Sequence, residues 1–507
     1  QIGFSYDGSS QAHGVSLFIN GQSADAIIEF DQLYKSILPV KNDPDRKRDE
    51  RAVRVGKSYR GFTGENGIFK GLVDQINIYD ATLSKLEMAS HYSREAHPDK
   101  TWSLESAPIT QILDHYLNRH PSVLEAMRAL EGLRSQRLEL INQIPEIMVM
   151  EEMPSPRTTY ILKRGQYDLP QKAVSPGMAE SILPFPNDLP KNRLGLAQWL
   201  FLSDNPLTAR VTVNRYWQMF FGKGLVETTE DFGSQGSRPS HPQLLDWIAV
   251  EFMESGWNVR HLVRMMVHSK TYQQSSRITP EKLEKDPTNR LLSRGPSYRL
   301  PAEHIRDNAL AASGLLSRTV GGPSVKPYQP DGLWIDKGNF SQKLLHYKAD
   351  EGDALYRRSL YTFIRRTSPH PAMQIFDAPN RDICTVRRET TNTPLQALVL
   401  MNDPQFVESA KALAERVQKE QDGNIENQID HGFRLLTGRH PNTRESVILR
   451  RHFQEELIRY RNSDSAVAEL LSIGEYKIDA TLDAARTAAL TMVMNTLMNY
   501  DEFYMKR

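Results

Sequence analysis

The chain has 507 residues, 39% of them hydrophobic, and 63 basic against 62 acidic side chains; this is the balance of a soluble globular protein with too many residues for one core, about three domains by length. A formal net charge of +1 supplies no global field for a polyanion, so nucleic-acid binding is not expected without a local basic patch, and no run of eighteen apolar residues offers a bilayer-spanning helix. The single cysteine excludes an internal disulfide framework, a zinc finger and a C-x-x-C-H haem attachment within this chain.

In chain order, Ile2 to Tyr6 reads as a strand. Val15, Leu17 and Ile19 alternate before Asn20-Gly21, a hairpin signal, and Val53 and Val55 repeat the alternation beyond an expected exposed loop from Lys41 to Arg51. Leu72, Asp74, Ile76 and Ile78 share one side of a further strand, and the apolar three are expected to face a sheet core. These are too few strands to close a sandwich of ordinary size, so the β part reads as incomplete. Ser84-x-x-Glu87 is a capping box that opens a short helix.

From about residue 108 the period turns helical. Val123, Met127, Leu130, Leu133, Leu138 and Ile141 form an apolar stripe on a long helix that ends before Pro145. Six prolines between Ile147 and Pro190 deny that stretch long helices. Asn205-Pro206, Ser240 with Pro242, Pro301, Thr393-Pro394 and Asp403-Pro404 then match helix starts. The predicted fold is mainly α with an N-terminal all-β part. Residues 1–95 are an incomplete β-sandwich, 96–190 a helical hairpin and Pro-rich linker, and 191–507 a large helical domain with long Pro/Arg-rich loops.

The most unusual local composition lies between Tyr356 and Glu389, where seven arginines, among them Arg365, Arg366, Arg387 and Arg388, face only Asp377 and Asp382. Planar guanidinium forks suit carboxylate, sulfate or phosphate, as in an anionic glycan or haem propionates; they equally suit ion pairs with Glu303, Asp307, Asp231 or Asp246. On the helix opened by Pro301, Glu303, Arg306 and Asp307 lie near one face with Arg299 just upstream. Two carboxylates one turn apart are candidates for a general acid and base, or for a carboxylate–arginine brace. The expectation is that Arg299, Glu303 and Asp307 converge with Arg365, Arg366, Arg387 and Arg388 on one polar centre, with Arg306 beside them as a further ligand-binding candidate.

Cys384 is a candidate nucleophile or axial haem ligand, but its flanks Ile383 and Val386 are apolar and it is expected to be a small buried hydrophobe. His261 and His268 are seven residues apart, too far along one helix to share a metal, and His241 before Pro242 reads as readily as a brace. Asp231-Phe232-Gly233 lacks the rest of a kinase signature and reads as a turn. Trp217, Phe220 and Phe221 beside Gly222 offer a sugar-stacking surface, yet their helical spacing favours core packing.

Two resemblances add to these readings. YDGSSQAHGVSLFINGQ and RVGKSYRGFTGENGIFKGLVDQINIYDATLSKLEMASHY resemble the second half of a laminin-G/concanavalin-like sandwich. That resemblance implies glycan binding or a Ca²⁺, for which Asp74 and Asp80 are the acids to consider; both also read as strand-edge or turn carboxylates, since Ca²⁺ wants six or more oxygens. NPLTARVTVNRYWQMFFGKGLVETTEDFGSQGSRPSHPQLLDW, DPTNRLLSRGPSYRLPAEHIRDNALAASGLL and FDAPNRDICTVRRETTNTPLQALVLMNDPQFVESAKALAERV resemble the C-terminal domain of planctomycete cytochrome-associated surface proteins.

The second resemblance extends over about residues 154 to 507 and implies the C-terminal part of an exported, multidomain bacterial protein, periplasmic or on the cell surface. Its partners would be an upstream cytochrome c module, carrying haem c, and a second domain of unknown function; no cofactor is expected within this chain beyond a Ca²⁺ in the sandwich. A targeting segment is expected to have been removed or to lie upstream of Gln1. The family supplies no reaction. The expected role is recognition of carbohydrate, anionic by the arginine count, or docking to the cytochrome module. Rival readings are an enzyme on polysaccharide, either an oxidoreductase using the upstream haem or a hydrolase using Glu303 and Asp307, and a purely structural surface scaffold.

Overall fold

Asn20 and Gly21 both take positive φ, 50° and 75°, as a two-residue type I′ turn requires, because its twist matches that of the strands it joins. Strand Val15–Ile19 accordingly folds back on Gln22–Ala24 and pairs on its other edge with Ile2–Tyr6, Ile2 opposite Ile19 and Tyr6 opposite Val15. This three-stranded antiparallel sheet belongs to the first of two units, Gln1–Arg157; the second is Thr158–Arg507. The structure, a computed structural model, describes residues 1–9, 11–31, 71–79, 82–96, 103–335, 346–421 and 423–507. The expected loop at 41–51, the strand at Val53 and Val55, and Asp80 lie outside the described residues.

The strand expected at 72–78 is not formed. Leu72 is 100% exposed, Ile76 57% and Ile78 76%, so these side chains face no core. A single extended ribbon buries its apolar face only when a neighbouring strand carries it onto a second layer, and no described strand pairs with this one; Gln75, at φ 42°, also breaks the two-residue alternation. After it, the capping box stands as expected. The Ser84 N–H donates to Glu87 Oε2 at 2.8 Å while the Glu87 N–H donates to Ser84 Oγ at 3.3 Å, opening helix Lys85–Ala96. Helices Ile109–Arg119 and Pro121–Gln143 follow, the second stopping short of Pro145. The latter's apolar period marks a helix but not a buried one, since none of its residues is buried.

The second unit opens with an antiparallel hairpin, Thr159–Leu162 against Pro170–Val174, inside the stretch read as a proline linker. Pro170 is tolerated because it stands first in its strand. Helices then gather around two large apolar clusters, with a small third one of Leu310, Leu355 and Tyr356. Thr208–Phe221, Pro242–Glu254 and Val259–His268 enclose Val213, Trp217, Phe221, Leu262 and Met266. The larger cluster is centred on Pro404–Glu420 and Ala484–Met498, with Ala302–Ser313, Ile425–Thr437 and Thr443–Arg461 packed about them. Ala484–Met498 buries ten of its residues, as a helix apolar on nearly every side must.

The helix starts read from sequence are built as their side chains dictate. Asn205 Oδ1 accepts the Leu207 and Thr208 N–H groups, Thr393 and Gln396 form a capping box, and Asp403 Oδ1 accepts the Gln405 N–H. A short pairing of Tyr298–Arg299 with Met505–Lys506 brings the end of the described chain alongside the start of helix Ala302–Ser313. The fold is therefore mainly helical behind an N-terminal β part.

Candidate functional site

Of the arginines singled out in the sequence, Arg299, Arg306, Arg365, Arg387 and Arg388 each have partners of their own and do not share one ligand-facing centre. Arg388 forms a bidentate fork on Glu303, NH1 to Oε2 at 2.6 Å and NH2 to Oε1 at 3.0 Å. Burial alone would push the Glu303 carboxyl up, but the Arg388 bonds and charge outweigh it and hold the group below the usual carboxylate range. That suits a brace and not a proton donor. Asp307, one turn on, accepts the Ser359 N–H at 2.8 Å and lies 3.7 Å from Arg306 NH1, so the two carboxylates serve different segments.

Arg306 is buried. Its guanidinium donates to Gln405 Oε1 at 2.6 Å, Ser359 Oγ at 3.1 Å and the carbonyls of Leu355 and Arg357 at 2.6 and 2.8 Å. Burial lowers its pKa to about 10, against the pull of Asp307 and Asp403. Arg299 donates to Asp377 Oδ2 at 2.6 Å and to the Thr391 carbonyl at 2.7 Å. Arg387 reaches Glu230 at 2.8 Å, and Arg365 donates to the Trp334 carbonyl while lying over its ring. Arg366 is exposed. Of the acids considered as partners, Asp246 takes Arg210 at 2.7 Å and Asp231 caps its own turn by accepting the Gly233 N–H.

Cys384 is exposed, not buried as expected. Residues 378–393 run over the surface without regular structure, where Val386 is partly covered but Ile383 is 76% exposed. Asp74 is likewise exposed, and among the described residues no three His, Cys, Asp or Glu side chains gather in a form that could hold a metal.

Trp217 and Phe221 are core residues, as their spacing indicates, stacked at 3.9 Å with their planes 7° apart. They also wall a groove of about 370 Å³, near the lower end of the range for ligand pockets. Tyr298 lines it too, its hydroxyl donating to the Met219 carbonyl at 2.7 Å. Helix Thr208–Phe221 ends at Gly222, φ 80°, where a Cβ would come within 2.8 Å of the Tyr298 ring; only glycine satisfies both demands.

Two loops carry the groove's rim. Buried Asn214 grips residues 222–226 by donating to the Val226 carbonyl at 3.0 Å and accepting its N–H at 2.8 Å, which sets Lys223 at the edge. On the other loop, Asp286 accepts the N–H groups of Leu291 and Ser293. These bonds overcome the effect of burial and lower the Asp286 pKa. Asn289 and Leu292 take left-handed φ of 57° and 58°, and the Asn289 side chain brackets the Arg294 backbone. This frame presents Arg290, which donates to the Arg238 carbonyl at 3.2 Å. Glu227 lies between the two cations, 3.4 Å from Lys223 Nζ and 3.7 Å from Arg290 NH1, all three side chains about half exposed. Sequence reading noted Trp217 and Phe221 while favouring core packing for them, and missed Tyr298 and the rim; the one local signal of the rim was the Gly-Lys-Gly run at 222–224 after an aromatic helix end.

Residues 192–453, more than half of the chain, match PSD1, a protein family of unknown function (DUF1553). The chain belongs to the PSD1 family. The match covers the groove, both of its rim loops and the Ala302–Ser313 helix. No curated protein matches the chain, and no solved structure does. Among the described residues no helix is long and apolar enough to cross a membrane.

Proposed function

We propose that this chain is a carbohydrate-recognition module and that the sugar sits in the groove walled by Trp217, Phe221 and Tyr298. The observation that supports it is a groove backed by the largely buried Trp217 and Phe221 and the partly exposed Tyr298, with a rim of hydrogen-bonding and charged side chains: apolar contact for a sugar's CH groups beside polar edges for its hydroxyls. In this reading the module is extracytoplasmic and belongs to a planctomycete surface protein. A cytochrome c domain carrying haem c and a further domain of unknown function stand upstream as its partners, with a laminin-G-like part at the N-terminus of the present chain. The arginine cluster then serves as bracing. Hydrolysis by Glu303 and Asp307 is disfavoured because Arg388 keeps Glu303 ionised and the two acids face separate partners.

The test is a glycan array probed with the isolated chain, its groove-filling variant Ser240→Phe, and Arg388→Ala. Wild type is expected to bind a defined set of oligosaccharides and Ser240→Phe to lose them at an unchanged melting temperature. Arg388→Ala should bind as wild type while melting a few degrees lower, since a partly exposed bidentate pair contributes about 1 kcal/mol. Binding abolished by Arg388→Ala and untouched by Ser240→Phe would return the site to the arginine cluster.

A further inference from the structure

We propose that the sugar taken by this groove is acidic, its carboxylate or sulfate displacing Glu227 from Lys223 and Arg290; the inference rests on the carbohydrate reading above. Three cations, Lys223, Arg290 and Arg294, line the groove against the single carboxylate of Glu227. Counting Asp286 behind the loop, whose carboxylate is held by the loop's own amides, the excess is still one positive charge.

The contact geometry points the same way. Elsewhere in the unit, the closed arginine–carboxylate pairs stand at charge-assisted distances, 2.6 Å for Arg388–Glu303 and Arg299–Asp377, 2.7 Å for Arg210–Asp246 and 2.8 Å for Arg387–Glu230, while looser contacts such as Arg459–Glu456 and Arg451–Glu455 stand at 3.4 and 3.7 Å. At the groove, Glu227 belongs to the looser set, 3.4 Å from Lys223 and 3.7 Å from Arg290. Arg290 is oriented by the Arg238 carbonyl rather than by Glu227. Two cations held apart by one loosely engaged carboxylate form an exchangeable seat for a second anion. Arg294, its guanidinium bonded to the Asp286 and Pro287 carbonyls and the Ser293 hydroxyl, adds a fixed positive charge behind that seat.

The experiment is calorimetric titration of the whole chain with two matched probe pairs: an oligogalacturonate and its neutral methyl ester, and a sulfated oligosaccharide and its desulfated form. The charged member of at least one pair should bind at least about tenfold more tightly than its neutral partner, and which pair shows the difference tells carboxylate from sulfate. Raising salt from 0.05 to 0.5 M should weaken it. Lys223→Ala and Arg290→Ala should each weaken the charged probe about tenfold, the scale of one charge-assisted hydrogen bond. Glu227→Gln, which removes the competing carboxylate, should tighten it severalfold. If neutral and charged probes bind alike and Glu227→Gln weakens both, the sugar is neutral and Glu227 takes its hydroxyls: this inference falls and carbohydrate recognition stands. If no probe binds and the array is blank as well, both fall.

Discussion

His370 is a buried imidazole whose protonation the fold opposes. Its Nε2 lies 2.6 Å from the Tyr328 carbonyl and must carry the proton, while Nδ1 has no partner among the described residues. Burial lowers its pKa to about 4; the Tyr328 bond resists that and the nearby Arg306 charge adds to it. The unfolded chain takes the same proton near pH 6.5. Stability from this residue is therefore complete above about pH 6.5 and is lost as the pH falls toward 4, by up to about 3 kcal/mol. Urea titrations at pH 7.5 and 4.5 should show His370→Gln losing much less stability over that interval than wild type. Parallel losses would show that His370 is not the responsible group. Nothing at the sequence level distinguishes this histidine from the thirteen others, because its burial is made by segments far away in the chain.

At the scale of elements, helix Pro404–Glu420 fixes a long loop through three polar side chains at i, i+3 and i+7. Glu408 accepts the Tyr356 hydroxyl at 2.9 Å and the Tyr476 N–H at 2.7 Å; Glu415 accepts the Tyr476 hydroxyl and the Asp479 N–H, each at 3.0 Å. Between them Lys411 is fully buried, and its ammonium donates to the carbonyls of Leu471, Ile473 and Tyr476. Lys411→Met keeps the stem's packing but strands three carbonyls, at a cost of about 3 kcal/mol or more. Chemical denaturation should show that loss, and amides at 473–479 should exchange faster.

Such contacts explain which features the sequence exposes. The caps at Ser84, Asn205, Thr393 and Asp403 and the turn at Asn20-Gly21 were legible because each is satisfied within a few residues of chain. The ion pairs were not, since Arg388 finds Glu303 across 85 residues and Arg387 finds Glu230 across 157. Composition shows that arginines are plentiful without showing where each one ends. The groove was half legible for the same reason: Trp217 and Phe221 come from one helix, while Tyr298 and the rim come from separate segments that only the tertiary fold brings together.

For the molecule as a whole, the chain divides at Arg157, and the groove, both large apolar clusters and the whole family match lie on the C-terminal side. Residues 158–507 expressed alone should therefore fold, melt cooperatively within a few degrees of the corresponding transition in the full chain, and keep the same oligosaccharide affinity. Calorimetry of the fragment checks the first two and titration the third; a fragment that aggregates or melts early would show that the first unit stabilises the second.

The exposed position of Cys384, the chain's sole thiol, also gives the molecule one chemically addressable atom. A maleimide dye or spin label would attach at that single place, three residues before Arg387, and convert the surface loop into a reporter of anything that approaches it. The same accessibility lets two molecules join through a disulfide during aerobic storage. A covalent dimer seen without reductant would then record the handling of the sample and say nothing of how the protein assembles.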